Sequence, residues 1–499
     1  MRPGERSSPE TFPDKTTDME KSDIGMIGLG VMGAALASNM ENKGYRGSVY
    51  DRIVPGETPA VDTFMHGRGK ERNFAGFRRM EDFVASLARP RRIMMMIRAG
   101  APVDETIARL LPLLDRGDVL IDGGNSDFRD TERRVREAEA AGIGYIGTGI
   151  SGGEQGALHG PSIMPGGSET AWPLVEELLR TVAAKADDGA PCCAWMGPGG
   201  AGHFVKTVHN GIEYGDMQLI AETYALLKHR LGLSNEAMAD VFDAWNEREL
   251  EGFLLGITAR ILRFRDPRGG FLLDHVLDAA QQKGTGKWSV GAALEQDDPL
   301  PTISEAVFAR MLSAMIDERR TASALYDNSA HCPHTATLRI EWIEEALYAA
   351  RLIAYAQGFS LLGRASARHG WRTDCASVAR IWRNGCIIRS AFLEKIAEAY
   401  GRDAGLRNLL FDGFFRDKIA ETLPSLRRVV ADGALSGVAL PCMGSALSYF
   451  DSLRTLRSPA NLLQAQRDCF GAHGYERTDE PRGTFFHTDW TDPEDRTDL

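Results

Sequence analysis

Ile24-Gly-Met-Ile-Gly-Leu-Gly-Val-Met-Gly33 reads as an apolar strand running into a GxGxxG turn. A helix is predicted over Ala34–Lys43, then a break at Gly44, then a strand over Gly47–Tyr50 that is closed by Asp51-Arg52. Gly28 permits the tight turn, Gly30 lets the backbone approach a pyrophosphate, and Gly33 lets the helix pack on the strand. The pyrophosphate would then sit at a helix N-terminus, where unpaired N–H groups and the helix dipole favour an anion. A lone GxGxxG is a weak signal, often only a Gly-rich turn. Here strand, helix and acidic residue follow in order, which is the context of a dinucleotide site.

Asp51-Arg52-Ile53 points two ways on cofactor choice. A carboxylate at the end of the second strand favours the ribose 2′-hydroxyl of NAD. An adjacent Arg can stack on adenine and pair with the 2′-phosphate of NADP. Further along, a strand over Arg92–Ile97 ends in Arg98-Ala-Gly100, and a helix over Val103–Leu114 follows. Asp118-Val-Leu-Ile-Asp-Gly-Gly-Asn-Ser126 is a buried strand whose carboxyl end carries Asn125. Ligands in such sheets bind beyond the carboxyl ends of strands, so Asn125 is better placed than an Asn that only serves a turn. Ser151-Gly-Gly153 offers a hydroxyl and free backbone N–H groups that suit an anion, although on its own it is equally a flexible turn.

From about residue 200 the alternation gives way to long helical patterns, predicted over Gln218–Leu231, Asn235–Leu262, Glu305–Tyr326, Ile340–His369, Ser377–Tyr400 and Asp417–Asp432. A complete α/β domain followed by a run of helices implies a second, all-helical domain. The join is a glycine-rich run from Gly197 that leads into a helix over residues 203–219. Positions i, i+3, i+4, i+7 and i+8 from Lys206 are Lys206, His209, Asn210, Glu213 and Tyr214, a single polar stripe. Most such stripes are solvated faces. Solvated faces favour strong helix formers, however, whereas His, Asn, Gly and Tyr are weaker ones. Gly211 and Gly215 add the expectation of close approach by another surface. Trp382-Arg-Asn-Gly-Cys-Ile-Ile-Arg389 is mostly apolar and reads as core.

The 499-residue chain carries a formal net charge of −11, with 43% hydrophobic and 25% charged residues, ordinary for a globular protein of two or three domains. That charge argues against nucleic acid or an anionic membrane as the main partner. Arg133-Arg134 and Arg319-Arg320 read as exposed helix positions. Seven scattered cysteines, none with CxxC spacing, suggest a reducing cytoplasm and no structural zinc. Residues 1–22 lack the apolar core of a signal peptide and read as a disordered extension.

Lys283-Gly-Thr-Gly-Lys-Trp288 has the look of a phosphate loop but not the full GxxxxGKS/T spacing; Lys283 and Thr285 can still hold a phosphate. Arg310 follows in a helix. In Gln464-Ala-Gln-Arg-Asp-Cys-Phe-Gly-Ala-His473, Arg467 and His473 stand two turns apart if helical. The rest of the chain through Trp490 is polar with isolated aromatics, too poor in core residues to fold alone.

The blocks IGLGVMG, IDGGNS, GISGGEQGA, GGAGHFVKTVHNGIEYGDMQLI, QKGTGKW, AVFAR, YAQGF and QAQRDCFGAH closely resemble the decarboxylating 6-phosphogluconate dehydrogenases, from Asp23 to Trp490. The resemblance implies an α/β Rossmann-like domain (residues 23–199), a large all-α domain for substrate binding and dimerisation (200–455), and an extended C-terminal tail (456–499) that threads into the partner of a homodimer. It implies Lys206 as general base and Glu213 as general acid. Cofactor contacts carry over onto Gly28, Gly30, Val31, Met32, Gly33, Asp51, Arg52, Ile97, Arg98, Ala99 and Asn125. Substrate contacts carry over onto Asn125, Ser151, Gly152, Gly153, His209, Asn210, Glu213, Tyr214, Lys283, Thr285 and Arg310, with Arg467 and His473 completing the partner's site. The reaction implied is oxidative decarboxylation of 6-phosphogluconate with reduction of NADP or NAD and no metal, a step of the pentose phosphate pathway.

Two departures stand out: the family's usual Asn-Arg-Thr is Asp51-Arg52-Ile53, and Gln281 replaces a small residue before the Gly-rich loop. The rival readings are a hydroxyacid dehydrogenase that does not decarboxylate, which needs no acid at Glu213, and a catalytically silent dinucleotide-binding protein, which would have lost Lys206 or Glu213.

Overall fold

The computed structural model describes residues 20–54, 56–282, 284–326 and 337–490. Residues 1–19 of the expected N-terminal extension and Lys283 lie outside the described residues. At the start of the described chain, Ser22 donates its N–H to the Ser86 carbonyl at 2.9 Å. The chain divides into two compact units, residues 1–445 and 446–499.

In the first unit, seven strands build one sheet: β1 (Ile24–Ile27), β2 (Gly47–Tyr50), β3 (Phe74–Phe77), β4 (Arg92–Met95), β5 (Val119–Asp122), β6 (Gly144–Ser151) and β7 (Ser162–Gly167). Their order is β3-β2-β1-β4-β5-β6-β7. All neighbours are parallel except β7, which pairs antiparallel to β6 from Ile146↔Gly167 to Ser151↔Ser162. β1, β2 and β5 are buried throughout, because helices cover both faces of a parallel sheet and both sides of each strand must be apolar. Chain order reverses between β1 and β4, which opens a crevice at their carboxyl ends. The helix Val31–Asn42 starts directly at the glycine turn there. The Rossmann-like expectation and the all-helical second part are both met.

A helix of 25 residues, Ala201–Ala225, joins the sheet to the helical part and continues into a π-helical turn, Leu226–Arg230. Ile340–His369, 30 residues long and buried along most of its length, packs beside it, with Gly413–Ser436 on its other side.

Three predicted helices are broken. Asn235–Leu262 is two helices, Asn235–Asn246 and Phe253–Arg263, because the Asn246 side chain accepts the Gly252 N–H at 2.9 Å and closes a turn. Glu305–Tyr326 divides into Pro301–Ser313 and Ile316–Leu325. Ser377–Tyr400 divides into Cys375–Ile381 and Leu393–Arg402, with an irregular but largely buried segment between. Arg134, expected on the surface, has a side chain that is 0% exposed; Asp104 at 2.8 Å and Asp122 at 3.6 Å draw it beneath the carboxyl end of the sheet.

The second unit holds the helix Ala460–Gly471 and a two-stranded hairpin, β8 (Tyr475–Glu476) with β9 (Phe485–Phe486). The helix ends before His473: Ala472 turns left-handed (φ 49°), so Arg467 and His473 do not share a helix face.

Candidate active site

The polar stripe is not solvated. Lys206 is 6% exposed, His209 0% and Asn210 7%, with Tyr214 buried beside them. The off-stripe Val205, Val208 and Ile212 are buried too, so the first half of the helix is enclosed, while Glu213 beyond it is half-buried. It is seated by glycines. A Cβ on Gly149 in β6 would overlap the Lys206 Cβ, and one on Gly202 would press on the backbone of Gly147, Met164 and Gly166. The helix therefore crosses β6 and β7 at backbone distance, which plants Lys206 at the carboxyl end of the sheet. Further along, a Cβ on Gly211 would come within 2.8 Å of Ser289 Oγ, as the close-approach reading expects, whereas one on Gly215 would find ordinary contact at 3.6 Å. Gly149→Ala should cost ~1–3 kcal/mol of stability through overpacking and displace the Lys206 stem, cutting activity about 10²-fold. Denaturant unfolding and steady-state rates check it; wild-type values in both would contradict the contact.

His209 sits between the two candidate proton-transfer groups. Its Nδ1 lies 3.4 Å from Lys206 Nζ and 3.7 Å from Glu213 Oε2, and its Nε2 lies 3.0 Å from Ser151 Oγ. Burial and then the Lys206 charge hold the imidazole well below its ordinary pKa, so the ring is neutral. Burial also lowers the Lys206 pKa, with Glu213 and Cys386 opposing. Burial raises the Glu213 pKa, against the cations Lys206 and Arg310 and with help from Asp216. The two shifts run toward each other: burial favours the neutral amine on Lys206 and the protonated acid on Glu213.

One turn beyond Glu213, Asp216 forms a bidentate pair with Arg351 at 3.0 and 3.0 Å, both fully buried. The Tyr355 hydroxyl lies 3.2 Å from Asp216 Oδ2 and 2.9 Å from the Ile388 carbonyl. This cluster ties the helix to the segment read as plain core, residues 382–389. That segment is also a wall of the site: the Ile387 N–H donates to Ser151 Oγ at 3.4 Å, and the Trp382 ring stands edge-on to His209 at 5.5 Å. The interrupting Gly385 was the signal that it is not helical.

At the far end of the stripe, the Arg310 guanidinium lies 3.5 Å from the Tyr214 ring centroid. A Cβ on Gly286, next to Thr285, would meet the same ring at 2.5 Å. Tyr214, Thr285 and Arg310 are thereby brought together, with Lys283 outside the described residues.

Asn125 is exposed on a turn of otherwise buried residues. Asp122 braces that turn, accepting from Gly124 N–H (3.1 Å), Ser126 Oγ (2.7 Å) and Tyr145 Oη (3.0 Å). Nothing in the sequence singles out Asp122 for this role, because its partner Tyr145 lies 23 residues away. Gly152 and Gly153 both have positive φ (128° and 62°) and open the short helix Gly153–His159 beside Ser151.

At the glycine turn, Gly28 has φ +93° against Met96 and Ile97, while a Cβ on Gly30 would meet nothing within 4 Å. The first N–H groups of the helix Val31–Asn42, at Val31, Met32 and Gly33, have no intrahelical acceptor. The crevice fits a dinucleotide. Val31 and Arg98 are exposed, and Ile97 and Ala99 half-buried. Asp51 turns both carboxylate oxygens to backbone, accepting from Leu29 N–H at 2.7 Å and Arg52 N–H at 2.8 Å. The exposed Arg52 guanidinium has no acceptor among the described residues. Arg467 and His473, in the second unit, are both exposed.

Two family models match the chain. Residues 23–197 match the NAD binding domain of 6-phosphogluconate dehydrogenase, and residues 202–490 match the 6-phosphogluconate dehydrogenase C-terminal domain. The decarboxylating 6-phosphogluconate dehydrogenase of Treponema pallidum is 49% identical over 94% of this chain and 97% of its own length. The Ovis aries enzyme of the same name is 48% identical over 95% and 97%. A solved Plasmodium falciparum 6-phosphogluconate dehydrogenase, described in its apo form and in complexes with its cofactor NADP+ and its substrate 6-phosphogluconate, superimposes with a TM-score of 0.89. It is 39% identical and covers 94% of this chain and all of that one.

Proposed function

Because the chain belongs to the decarboxylating 6-phosphogluconate dehydrogenase family, we propose that its buried helix face carries out that reaction, with Lys206 as general base and Glu213 as general acid. The enzyme oxidises 6-phosphogluconate to ribulose 5-phosphate and carbon dioxide with reduction of NADP. The observation that carries the residue roles is the placement of Lys206 and Glu213 on either side of one neutral histidine, inside a site closed by the sheet and the 382–389 segment.

Neutral Lys206 takes the proton of the carbon-3 hydroxyl. The bound nicotinamide supplies the hydride acceptor. With a carbonyl at carbon 3, the carboxylate at carbon 1 leaves as carbon dioxide, because that carbonyl accepts the electron pair. The Lys206 ammonium, now facing the developing enolate oxygen, stabilises and protonates it. Glu213 then delivers a proton to the substrate's former carbon 2, which is carbon 1 of the ribulose 5-phosphate enediol, while Lys206 recovers the hydroxyl proton. Tyr214, Thr285, Arg310 and Lys283 hold the distal phosphate, and Ser151, His209 and Asn210 hold the reacting end, so remote contacts position the reacting carbon.

Initial rates with 6-phosphogluconate and NADP, with carbon dioxide and ribulose 5-phosphate measured alongside, test this reading. One carbon dioxide per NADPH is expected. NADPH without carbon dioxide would favour the hydroxyacid-dehydrogenase rival, and no turnover would sink the enzyme reading.

Asp51 braces the glycine turn, and the exposed Arg52 is the residue free to meet a 2′-phosphate. The Asp51 charge nonetheless remains beside any such phosphate. Asp51→Asn should therefore raise the NADP-over-NAD ratio of kcat/KM about tenfold; an unchanged ratio would remove Asp51 from cofactor selection.

The assembly proposed is a homodimer in which each tail completes the partner's site. Supporting it, Phe308 and Leu312 are 54% and 58% exposed on the helix Pro301–Ser313, and Leu456, Leu462, Leu463, Phe470 and Phe485 are exposed in the second unit. A cytoplasmic place in the pentose phosphate pathway is in keeping with the six free cysteines among the described residues. No described helix is long and apolar enough to cross a membrane.

A further inference from the structure

The C-terminal unit exposes its large apolar side chains, yet it has a defined shape. Its organisation is polar and converges on one group. The Asp468 side chain is 0% exposed. Its Oδ1 accepts from Gly474 N–H and His487 Nδ1, both at 2.9 Å. Its Oδ2 accepts from Thr488 N–H at 3.0 Å and Trp490 Nε1 at 2.8 Å. Four donors on two oxygens saturate the carboxylate. The donors come from the turn after the helix and from the chain beyond β9, so one side chain pins both to the helix Ala460–Gly471.

The same residue acts through its backbone. The Asp468 carbonyl accepts the Ala472 N–H at 2.9 Å at the point where Ala472 adopts φ 49°. A left-handed alanine is strained and persists only where its surroundings over-determine it. His473 rides on that turn, between Ala472 and the pinned Gly474. Arg467 precedes Asp468 on the helix, roughly 100° round the axis, and is exposed where Asp468 is buried. Gln464 links the two sides, donating to the Gly474 carbonyl at 2.6 Å and accepting from Arg467 Nη1 at 3.1 Å.

We infer that Asp468 is the positioning residue of the C-terminal unit: it preforms the turn carrying His473 beside the helix carrying Arg467, so that both reach the substrate as one rigid piece. This rests on the reading that Arg467 and His473 complete a substrate site. Asp468 itself touches no substrate. A tail ordered only on arrival would lose conformational entropy at each assembly, and a preformed one does not.

The test uses full-length Asp468→Asn and Asp468→Ala, with dimer content and circular dichroism recorded. Asp468→Asn keeps the shape but removes the charge and one acceptor. It should raise KM for 6-phosphogluconate about tenfold, with kcat within about threefold and KM for NADP unchanged, because only positioning of the substrate is disturbed; the alanine variant should go further. Mixed dimers with Lys206→Met sharpen the result. The Asp468→Asn subunit has an intact base, and its Lys206→Met partner has an intact tail. One site per mixed dimer should therefore return to the wild-type KM. An unchanged KM for 6-phosphogluconate in Asp468→Asn would overturn the inference, as would an equal rise in both KM values. Arg467→Ala and His473→Ala separate the two levels. Wild-type KM in both would remove the tail from substrate binding, whereas a raised KM in them alone would remove only Asp468.

Discussion

Lys206→Met is expected to lower kcat for NADPH formation by about 10⁴-fold while leaving the affinity for 6-phosphogluconate within a few-fold. The size of the effect follows from two losses at once. The variant has no base for the carbon-3 hydroxyl, and it has no ammonium to meet the enolate that forms when carbon dioxide departs. Packing adds little to the change. The stem of residue 206 lies against Gly149, where a methyl group would already overlap it, and methionine is as long and unbranched as the lysine stem. A cavity or overpacking explanation is therefore weak, and the loss is chemical. The pH profile carries the same information with a sign. Burial lowers the Lys206 pKa, so the neutral base persists further down the pH scale than a solvated lysine allows. Activity should fall on the acid side as Lys206 takes up a proton, and that limb should vanish from the residual rate of the variant. Single-turnover NADPH absorbance and substrate titration separate the two effects. Turnover above about one hundredth of wild type would show that another group removes the proton.

What could be read in the chain beforehand was what repeats locally. The β1–helix–β2 order around Gly28, Gly30 and Gly33, and the stripe at 206, 209, 210, 213 and 214, are short-range periodicities, and both are where they were expected. What could not be read depends on partners distant in sequence. Arg134 looks like any surface arginine until Asp104 and Asp122 are placed beside it. Residues 382–392 keep the apolar content of the helices on either side, with Trp382, Cys386 and Ile388 all buried, so hydrophobicity cannot distinguish a buried loop from a buried helix. The tail lacks an apolar core, and the Asp468 carboxylate, reached only through residues up to 22 positions away, joins its helix to the chain beyond the hairpin. Asp51 pointed two ways because a carboxylate at a strand end can face a ribose or its own backbone, and only the Leu29 contact at 2.7 Å separates these.

Glu213→Gln is expected to separate oxidation from product formation. The glutamine has the shape of the acid and no proton to give. Release of ribulose 5-phosphate should slow by about 10²–10⁴-fold, the range for loss of a positioned general acid. Two features hold the acid's pKa above that of a solvated glutamate. Burial is the first, and it raises the pKa; Asp216, one turn along and fully buried, adds like-charge repulsion; Lys206 and Arg310 pull the other way without cancelling the rise. The proton is therefore retained to higher pH than on a solvated glutamate and lost as the pH climbs further, which makes Glu213 the alkaline limb of the wild-type profile. That limb should disappear in Glu213→Gln, while the acid limb set by Lys206 remains. Stereochemistry supplies a readout that slow product release cannot imitate. In deuterated water the wild-type enzyme should place deuterium on one face of carbon 1, because the donor is a single side chain on one wall of the site. In Glu213→Gln the enediol takes its deuteron from solvent, and carbon 1 should be labelled on both faces. Retained single-face labelling at an undiminished rate would mean that a different residue is the acid. The neutral His209, 3.7 Å from Glu213 and 3.4 Å from Lys206, would then be the next group to replace.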